Sequence, residues 1–280
     1  MREISVEKIT EAVAEICIAA NLELSPEMCS RIDDAERDEK NPLAKQILSQ
    51  MKENMEIAKE DRIPICQDTG MAVFFVEVGQ EVHIEGGSLT DAINAGVRKG
   101  YEEGYLRKSV VGDPLLRENT KDNTPAIIHY DIVPGDGLKI TITPKGFGSE
   151  NMSKLVMLKP ADGVEGVKQV VIDTVKAAGP NACPPFVVGV GIGGDFELVA
   201  KLSKKALTRE PGSHNKDAHI AELEDELLAA INATGIGPAG LGGDTTALAV
   251  NIETYPTHIA GLPVAVNMCC HVDRHKSVSL

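Results

Sequence analysis

Met71–Val78, MAVFFVEV, is the stretch at which the chain stops reading as helix. Its centre is apolar without a break and rich in β-branched and aromatic residues, the composition of a buried strand. What precedes it has another period. Ile9, Val13, Ile16 and Ala20 recur at i, i+4, i+7 and i+11 and so share one helical face. Ser25-Pro26 and Asn41-Pro42 each pair an N-cap residue with proline at the first helical position. Beyond the second pair, Leu43, Ile47, Leu48, Met51 and Met55 keep helical spacing. The sequence therefore predicts a helical layer over about residues 1–62.

Downstream of MAVFFVEV the elements mix. Ser88–Tyr105 reads as a helix, with Ser88 and Asp91 placed like a capping box. Ala126–Val133 and Leu138–Thr143 read as strands joined by Pro-Gly-Asp-Gly, which predicts a hairpin. Gly163–Ala178, Phe196–Leu207 and Ala218–Ala233 read as helices; Phe186–Ile192, Thr245–Ile252 and Pro263–Met268 read as strands. The expected fold is α+β: an N-terminal helical layer followed by mixed or antiparallel sheets packed with helices. One domain is expected over 1–280, helical over about 1–62 and mixed over about 63–280. The chain carries no internal repeat and no convincing linker.

Composition narrows the partners. Lys and Arg number 28 against 42 Asp and Glu, a formal net charge of −14 without a basic run. Such a chain repels nucleic acid and anionic lipid. Aromatics at 3% and no Trp leave no base-stacking surface. The longest uncharged stretches, Ala177–Gly194 and Leu227–Gly243, are rich in Gly or Pro and do not read as membrane spans. Met1–Leu24 mixes acids and bases where a secretory leader would have an apolar run. The expectation is a soluble cytoplasmic protein with reduced thiols.

Gly189–Gly194, GVGIGG, matches G-x-G-x-x-G between a strand and a helix, the setting of a dinucleotide phosphate turn. Gly235, Gly237 and Gly240 match it again, which shows how little the pattern demands. No second strand ending in an acidic residue follows the first match. Tight backbone packing at a strand end is the competing reading.

The six cysteines separate by context. Cys17 lies beside the apolar face of the first helix and Cys29 on the next; both read as small core residues. Cys66 (PICQDTG), Cys183 (NACPP) and the pair Cys269-Cys270 fall at junctions between strand and loop, where rigid scaffolds carry function. Core packing, zinc, a nucleophile paired with a base, or an iron–sulfur site all remain open on spacing alone, although zinc ordinarily takes C-x-x-C pairs that the chain lacks. Three thiolates on a four-iron cluster would leave one iron open to act as a Lewis acid.

A wider set of motifs occurs in order: Pro64–Gly70 (PICQDTG), Leu106–Pro114 (LRKSVVGDP), Asp122–Ala126 (DNTPA), Lys145–Lys159 (KGFGSENMSKLVMLK), Asn181–Pro185 (NACPP), Gly235–Thr245 (GIGPAGLGGDT) and His258–His271 (HIAGLPVAVNMCCH). Together they resemble the iron-dependent hydro-lyase family of class I fumarases and L-tartrate dehydratases, over nearly the whole chain. PICQDTG and GSEN are the specific parts. The similarity is to the alpha subunit, equivalent to the N-terminal domain of single-chain members.

The resemblance implies a 4Fe–4S cluster on Cys66, Cys183 and Cys270, with Cys269 the fallback third ligand. It implies reversible hydration of fumarate to L-malate, a reaction of the tricarboxylic acid cycle, with L-tartrate dehydration as the alternative. The cluster would hold the hydroxyl of a small 2-hydroxy dicarboxylate as a Lewis acid. Gln67 and Arg107 would bind carboxylate, Arg107 bidentately. Asp68 would bind substrate or transfer protons, although a loop aspartate also caps backbone amides. Gly148 would offer a backbone donor where a side chain would clash. His258 would be an active-site histidine, His271 would stand behind the ligands, and Asn151 and Lys154 would line the pocket wall. A separate beta subunit would supply further Arg and Lys and the proton-abstracting Thr, in a heterotetramer built on an alpha–alpha dimer. Two other classes compete: a nicotinamide-dependent oxidoreductase using Gly189–Gly194, and a non-catalytic iron–sulfur or redox-sensing module.

Overall fold

MAVFFVEV becomes the second strand of the chain and an interior strand of its sheet. The structure is a computed structural model that describes residues 2–280; Met1, the first residue of the stretch read for a leader, lies outside them. Among the described residues the order is β1 (Arg2–Ser5), α1 (Val6–Leu22), α2 (Pro26–Asp38), α3 (Pro42–Asp61), β2 (Met71–Gly79), β3 (Val82–Glu85), α4 (Leu89–Glu103), β4 (Ile127–Val133) and β5 (Leu138–Lys145). A single turn, α5 (Phe147–Glu150), leads to β6 (Lys154–Leu158), α6 (Gly163–Ala178), β7 (Phe186–Gly194), α7 (Leu198–Ala206), α8 (Ala218–Asn232), β8 (Ala247–Thr257), β9 (Leu262–Cys269) and β10 (Lys276–Ser279). The fold is α+β. No helix among the described residues is long and apolar enough to cross a membrane.

The caps read from sequence are formed. Ser25 Oγ accepts from Met28 N at 3.2 Å with Pro26 in the first turn, and Asn41 Oδ1 accepts from Leu43 N at 3.0 Å. Two helices start or stop inside their expected bounds. α4 ends at Glu103 because Gly104 folds back onto Gly100 and Glu102. α7 starts at Leu198 because Asp195 Oδ1 takes the amides of Glu197 and Leu198. β1, β3, β6 and β10 carry no sequence signal strong enough to be expected; each is five residues or fewer.

The chain divides into two compact units. Unit 1 holds the chain up to Leu24, Met55–Phe147 and Arg274–Leu280; unit 2 holds Ser25–Asn54 and Gly148–Asp273. In unit 1 the sheet order is β10-β5-β2-β4. β2 pairs parallel with β4 and antiparallel with β5, so both its edges are bonded, and Ala72–Val76 is buried throughout. Helices α1 and α4 cover the sheet, their crossing made close by Gly96 and Gly100: a Cβ on Gly96 would lie 2.6 Å from that of Val13. Ile9, Val13, Ile93, Val97, Tyr101, Phe74 and Ile140 fill the core between them. The expected hairpin is corrected here. β4 and β5 do not pair; β2 lies between them, and Pro134–Gly137 loops across its end, with Gly79 N donating to Gly137 O at 2.9 Å and Gln80 N to Val133 O at 2.9 Å. The turn residues specify a reversal but not whether a third strand fills the gap.

In unit 2 the order is β6-β9-β7-β8, with β7 parallel to β8 and antiparallel to β9. Successive residues of β7 face opposite ways. Val188 and Val190 join α6 and α8 through Val171, Val175, Leu223 and Leu227. Gly189 and Gly191 face α7, and a Cβ on either would lie 2.1 Å from Ser203 O or 2.3 Å from Val199 O. The phosphate-turn reading of Gly189–Gly194 is thereby corrected. The run lies within a strand bonded to β8 along its length and to β9 as far as Ile192, where Gly189 and Gly191 let α7 approach, and the nicotinamide alternative built on it falls.

Candidate functional site

Cys66 sits half-buried in Pro64–Gly70, the loop between α3 and β2, with its Sγ donating to Gln67 Oε1 at 3.3 Å. Unit 1 fixes this loop from several sides. Ile65 N donates to Asn21 O at 3.0 Å. The buried Tyr101 hydroxyl donates to the carbonyls of Thr69 and Gly70 at 3.0 and 3.1 Å, and burial raises its pKa far above the usual tyrosine value. Asn123, fully buried, donates to Gly70 O at 3.2 Å while its own oxygen accepts from Ser109 N at 2.7 Å. Thr69 Oγ1 accepts from Arg107 N at 2.9 Å and donates to Arg107 O at 3.2 Å, which brings the Arg107 backbone to the Cys66 loop. The side chains of Gln67 and Arg107 are exposed beside it.

Asp68 does what a capping aspartate does. Its Oδ1 accepts from Gly70 N at 3.1 Å and its Oδ2 from Phe147 N at 2.9 Å. Its carbonyl accepts from Arg274 Nη2, and Arg274 Nε reaches Pro144 O at 3.4 Å. Arg274 is 4% exposed. Nothing in the sequence pattern marks it, because its partner Asp68 is 206 residues away in the chain.

Unit 2 carries the other thiols. Cys183 closes the turn Gly179–Ala182 in a left-handed conformation (φ 54°) and is exposed. Its carbonyl lies 3.4 Å from the donating His271 N and 3.2 Å from His271 Nδ1, so the turn is joined to the segment after β9. Cys269 is the last residue of β9, opposite Val187, and is buried; Cys270 follows it half-buried. Of the two thiols, Cys270 is the less buried. β9 is held just upstream: Asn267 Nδ2 donates to Glu150 Oε2 and Ser153 Oγ at 2.9 and 2.8 Å, and Lys204 Nζ lies 2.6 Å from Glu150 Oε1. Glu150 belongs to the GSEN stretch, so this part of the motif serves to tie β6, α7 and β9 together.

Gly148, Asn151, Lys154 and His258 also belong to unit 2. A Cβ on Gly148 would meet only Asn181 O, at 3.8 Å, so within the chain no clash demands glycine there. Asn151 and Lys154 are exposed. Within unit 2, His258 lies apart from Cys183 and Cys270. β7 starts beside Cys183 and runs antiparallel to β9, so Cys270 and His258 flank opposite ends of the sheet. The eight residues of β9 separate those ends, by roughly 25 Å at the strand rise. His258 lies on an exposed turn, where its Nδ1 accepts from Ala260 N at 3.2 Å.

Thiols on separate loops, beside strand ends, are the donors that hold iron–sulfur clusters, each binding a different iron. The donor set Cys66, Cys183 and Cys270 fits such a group in kind, and the backbone and ring nitrogens of His271 hold the Cys183 loop beside the Cys270 loop. Among the described residues no three His, Cys, Asp or Glu side chains gather around a point as for a single metal ion.

Residues 10–279 match the family described as "Fumarate hydratase (Fumerase)". A protein of Methanocaldococcus jannaschii, provisionally named L(+)-tartrate dehydratase subunit alpha, is 44% identical over 273 residues, covering 95% of each chain. L(+)-tartrate dehydratase subunit alpha of Escherichia coli (strain UTI89 / UPEC) is 33% identical over 274 residues, covering 96% of this chain and 90% of the relative. Its counterpart in Escherichia coli (strain K12) is 32% identical over the same span.

Proposed function

The chain belongs to the fumarate hydratase (Fumerase) family and is a hydro-lyase chain; from that premise we propose that it is the alpha subunit of an iron–sulfur enzyme that dehydrates a four-carbon 2-hydroxy dicarboxylate. The observation that carries the substrate is the near full-length likeness to chains named for L(+)-tartrate. It moves L(+)-tartrate ahead of L-malate, which the sequence resemblance put first. Malate and fumarate are the second reading, favoured by the family's own description.

Cys66, Cys183 and Cys270 are the residues that would hold the cluster, which supplies when bound a Lewis-acidic iron for the substrate hydroxyl. Gln67 and Arg107, exposed beside the Cys66 loop, bind a substrate carboxylate, Arg107 through its two parallel N–H groups. This local positive group is what a dianion needs on a chain of net charge −14. Asp68 keeps one lone pair on each oxygen beyond the amide bonds it accepts, enough to orient substrate or take up a proton. Gly148 offers its N–H to the substrate. His258 serves the reaction from a second copy of the chain, because within its own chain it lies at the far end of the sheet; this agrees with an alpha–alpha dimer. A beta subunit supplies the proton-abstracting group. Reduced cysteines of this kind suit a cytoplasmic setting.

The test is anaerobic co-purification with a candidate beta chain and assay with L(+)-tartrate and with L-malate and fumarate. A brown, air-sensitive complex that releases oxaloacetate from L(+)-tartrate is the expected result. Turnover of malate and fumarate alone moves the substrate to the second reading, and an iron-free preparation with full activity overturns the cluster.

A further inference from the structure

The loop from Gly235 to Thr245 is held only in part by its own bonds, such as Gly242 N to Ile236 O at 2.8 Å. Gly235, Gly237, Ala239, Gly240, Gly242 and Gly243 all have positive φ, a conformation that costs glycine little but leaves the chain many alternatives to lose on folding. The rest of its support comes from another segment of unit 2. Glu39, the cap residue after α2, is 5% exposed. Its Oε1 accepts from Lys40 N, Asn41 N and Asp244 N, each at 3.0 Å; its Oε2 accepts from Asp244 N at 2.9 Å and Thr245 N at 3.1 Å. One carboxylate thus gathers four amides, two from its own turn and two from the glycine loop. Space for a side chain is also absent: a Cβ on Gly243 would stand 3.0 Å from Glu39 Oε2 and 2.8 Å from Ala44 Cβ.

The loop bears in turn on the Cys183 turn. Ala239 N donates to Pro184 O at 2.9 Å. Gly240 lies so close to Pro180 that a Cβ would be 2.6 Å from the proline Cβ. Pro180 and Pro184 bracket Cys183, and Cys183 N donates back to Pro180 O at 3.1 Å. Cys183 is itself in the left-handed region at φ 54°, a conformation a non-glycine residue keeps only when its surroundings impose it. All of these residues belong to unit 2.

We infer that Glu39 is a positioning residue for Cys183, acting through the glycine loop at residues 235–245. Its link to cluster binding rests on the iron–sulfur reading above; its link to the Cys183 turn does not. The Glu39→Gln change keeps size and places an NH2 group against amide donors, leaving one oxygen for four amides. Gly240→Ala is the second variant: it leaves every Glu39 bond in place and pushes the loop off Pro180.

Hydrogen exchange read by mass spectrometry on the full metal-free chain, kept anaerobic, decides the brace. In both variants, peptides covering residues 179–186 and 235–246 exchange faster, by about tenfold in Glu39→Gln for the loss of hydrogen bonds to a charged group, while residues 187–194 and 262–269 keep wild-type rates. Equal acceleration across those strands makes Glu39 a general stabiliser and overturns the proposal. So does a loosened 235–246 beside an unchanged 179–186. Should Glu39→Gln fail to fold, Gly240→Ala with wild-type exchange at 179–186 overturns it alone. Iron retention after anaerobic reconstitution, read by visible absorption, is the second arm: iron is lost faster from both variants than from wild type. Retention unchanged beside a loosened turn overturns the role toward the ligand. A wild-type chain that takes up no iron fails the iron–sulfur reading, and the exchange pattern still decides whether Glu39 positions Cys183.

Discussion

Cys66, Cys183 and Cys270 were distinguishable from Cys17 and Cys29 in the sequence because apolar periodicity ends just before each and turn formers surround them. Cys17 is fully buried, and burial pushes its thiol far above the usual cysteine range, so it stays protonated and inert. In the folded chain it resists iodoacetamide at mildly alkaline pH while Cys183 reacts; mapping the alkylated peptides checks this. Cys66→Ser, Cys183→Ser and Cys270→Ser each abolish iron retention after anaerobic reconstitution, whereas Cys17→Ser and Cys269→Ser keep it. Loss with Cys269→Ser and retention with Cys270→Ser would reassign the third ligand. Other residues were illegible for a reason of distance along the chain. Glu39 meets Asp244 across 205 residues and Arg274 meets Asp68 across 206. Neither obeys a local period, and a lone Glu or Arg reads as a solvated side chain until the fold brings its partner. Asp68 stood between two readings, and its two amide bonds show the capping one at work whatever else it does.

Elements were legible where the pattern is long. Gly163–Ala178 was read with its observed bounds, and the two Pro-led helices started where their caps indicate. Pairing was not legible, because strand order is decided by what else can fill a gap: Pro-Gly-Asp-Gly turns the chain around, and β2 occupies the space between the arms. The glycine run of β7 shows the same limit, since a stripe of glycines marks close approach without naming what approaches. Gly191→Ala places a methyl 2.3 Å from Val199 O, in backbone that cannot yield, and costs at least about 2 kcal/mol. Gly137→Ala meets nothing within 4 Å, so it is neutral or stabilises by up to about 1 kcal/mol through the unfolded chain. Paired urea melts of the two variants check both; equal stability would show that the β7–α7 contact is not rigid.

Acid is expected to destabilise both units, and the sign follows from two carboxylates. Burial raises the pKa of Glu39, but the amides of Asn41, Asp244, Thr245 and Lys40 outweigh it and hold the group below its ordinary 4.5. Asp122 in unit 1 goes the same way: burial opposes, and Thr124 and Arg98 bring it down to about 2 from 3.8. A depressed pKa contributes stability that is present above the ordinary value and lost as pH falls through the folded one. Thermal midpoints should hold steady from neutrality to about pH 5 and fall between about pH 4.5 and 2; the Glu39→Gln chain should lose less over that interval, and an equal loss would remove Glu39 from the account. At this scale the α+β class was legible from the change of period at Met71, whereas the division into units was not, because each is assembled from separated segments.

That division sets an order of events during synthesis. Unit 2 has all its residues once Asp273 has been made, but unit 1, begun with the first strand, still lacks Arg274–Leu280. Those residues carry β10, which pairs with β5, and Arg274, which holds the Asp68 carbonyl. A nascent chain therefore cannot fold its units from the N-terminus onward, as chains with contiguous domains do. The earlier-begun unit stays open on the ribosome until the later one is complete, and the Cys66 loop gains its anchor from Arg274 only after every residue of unit 2 has been made.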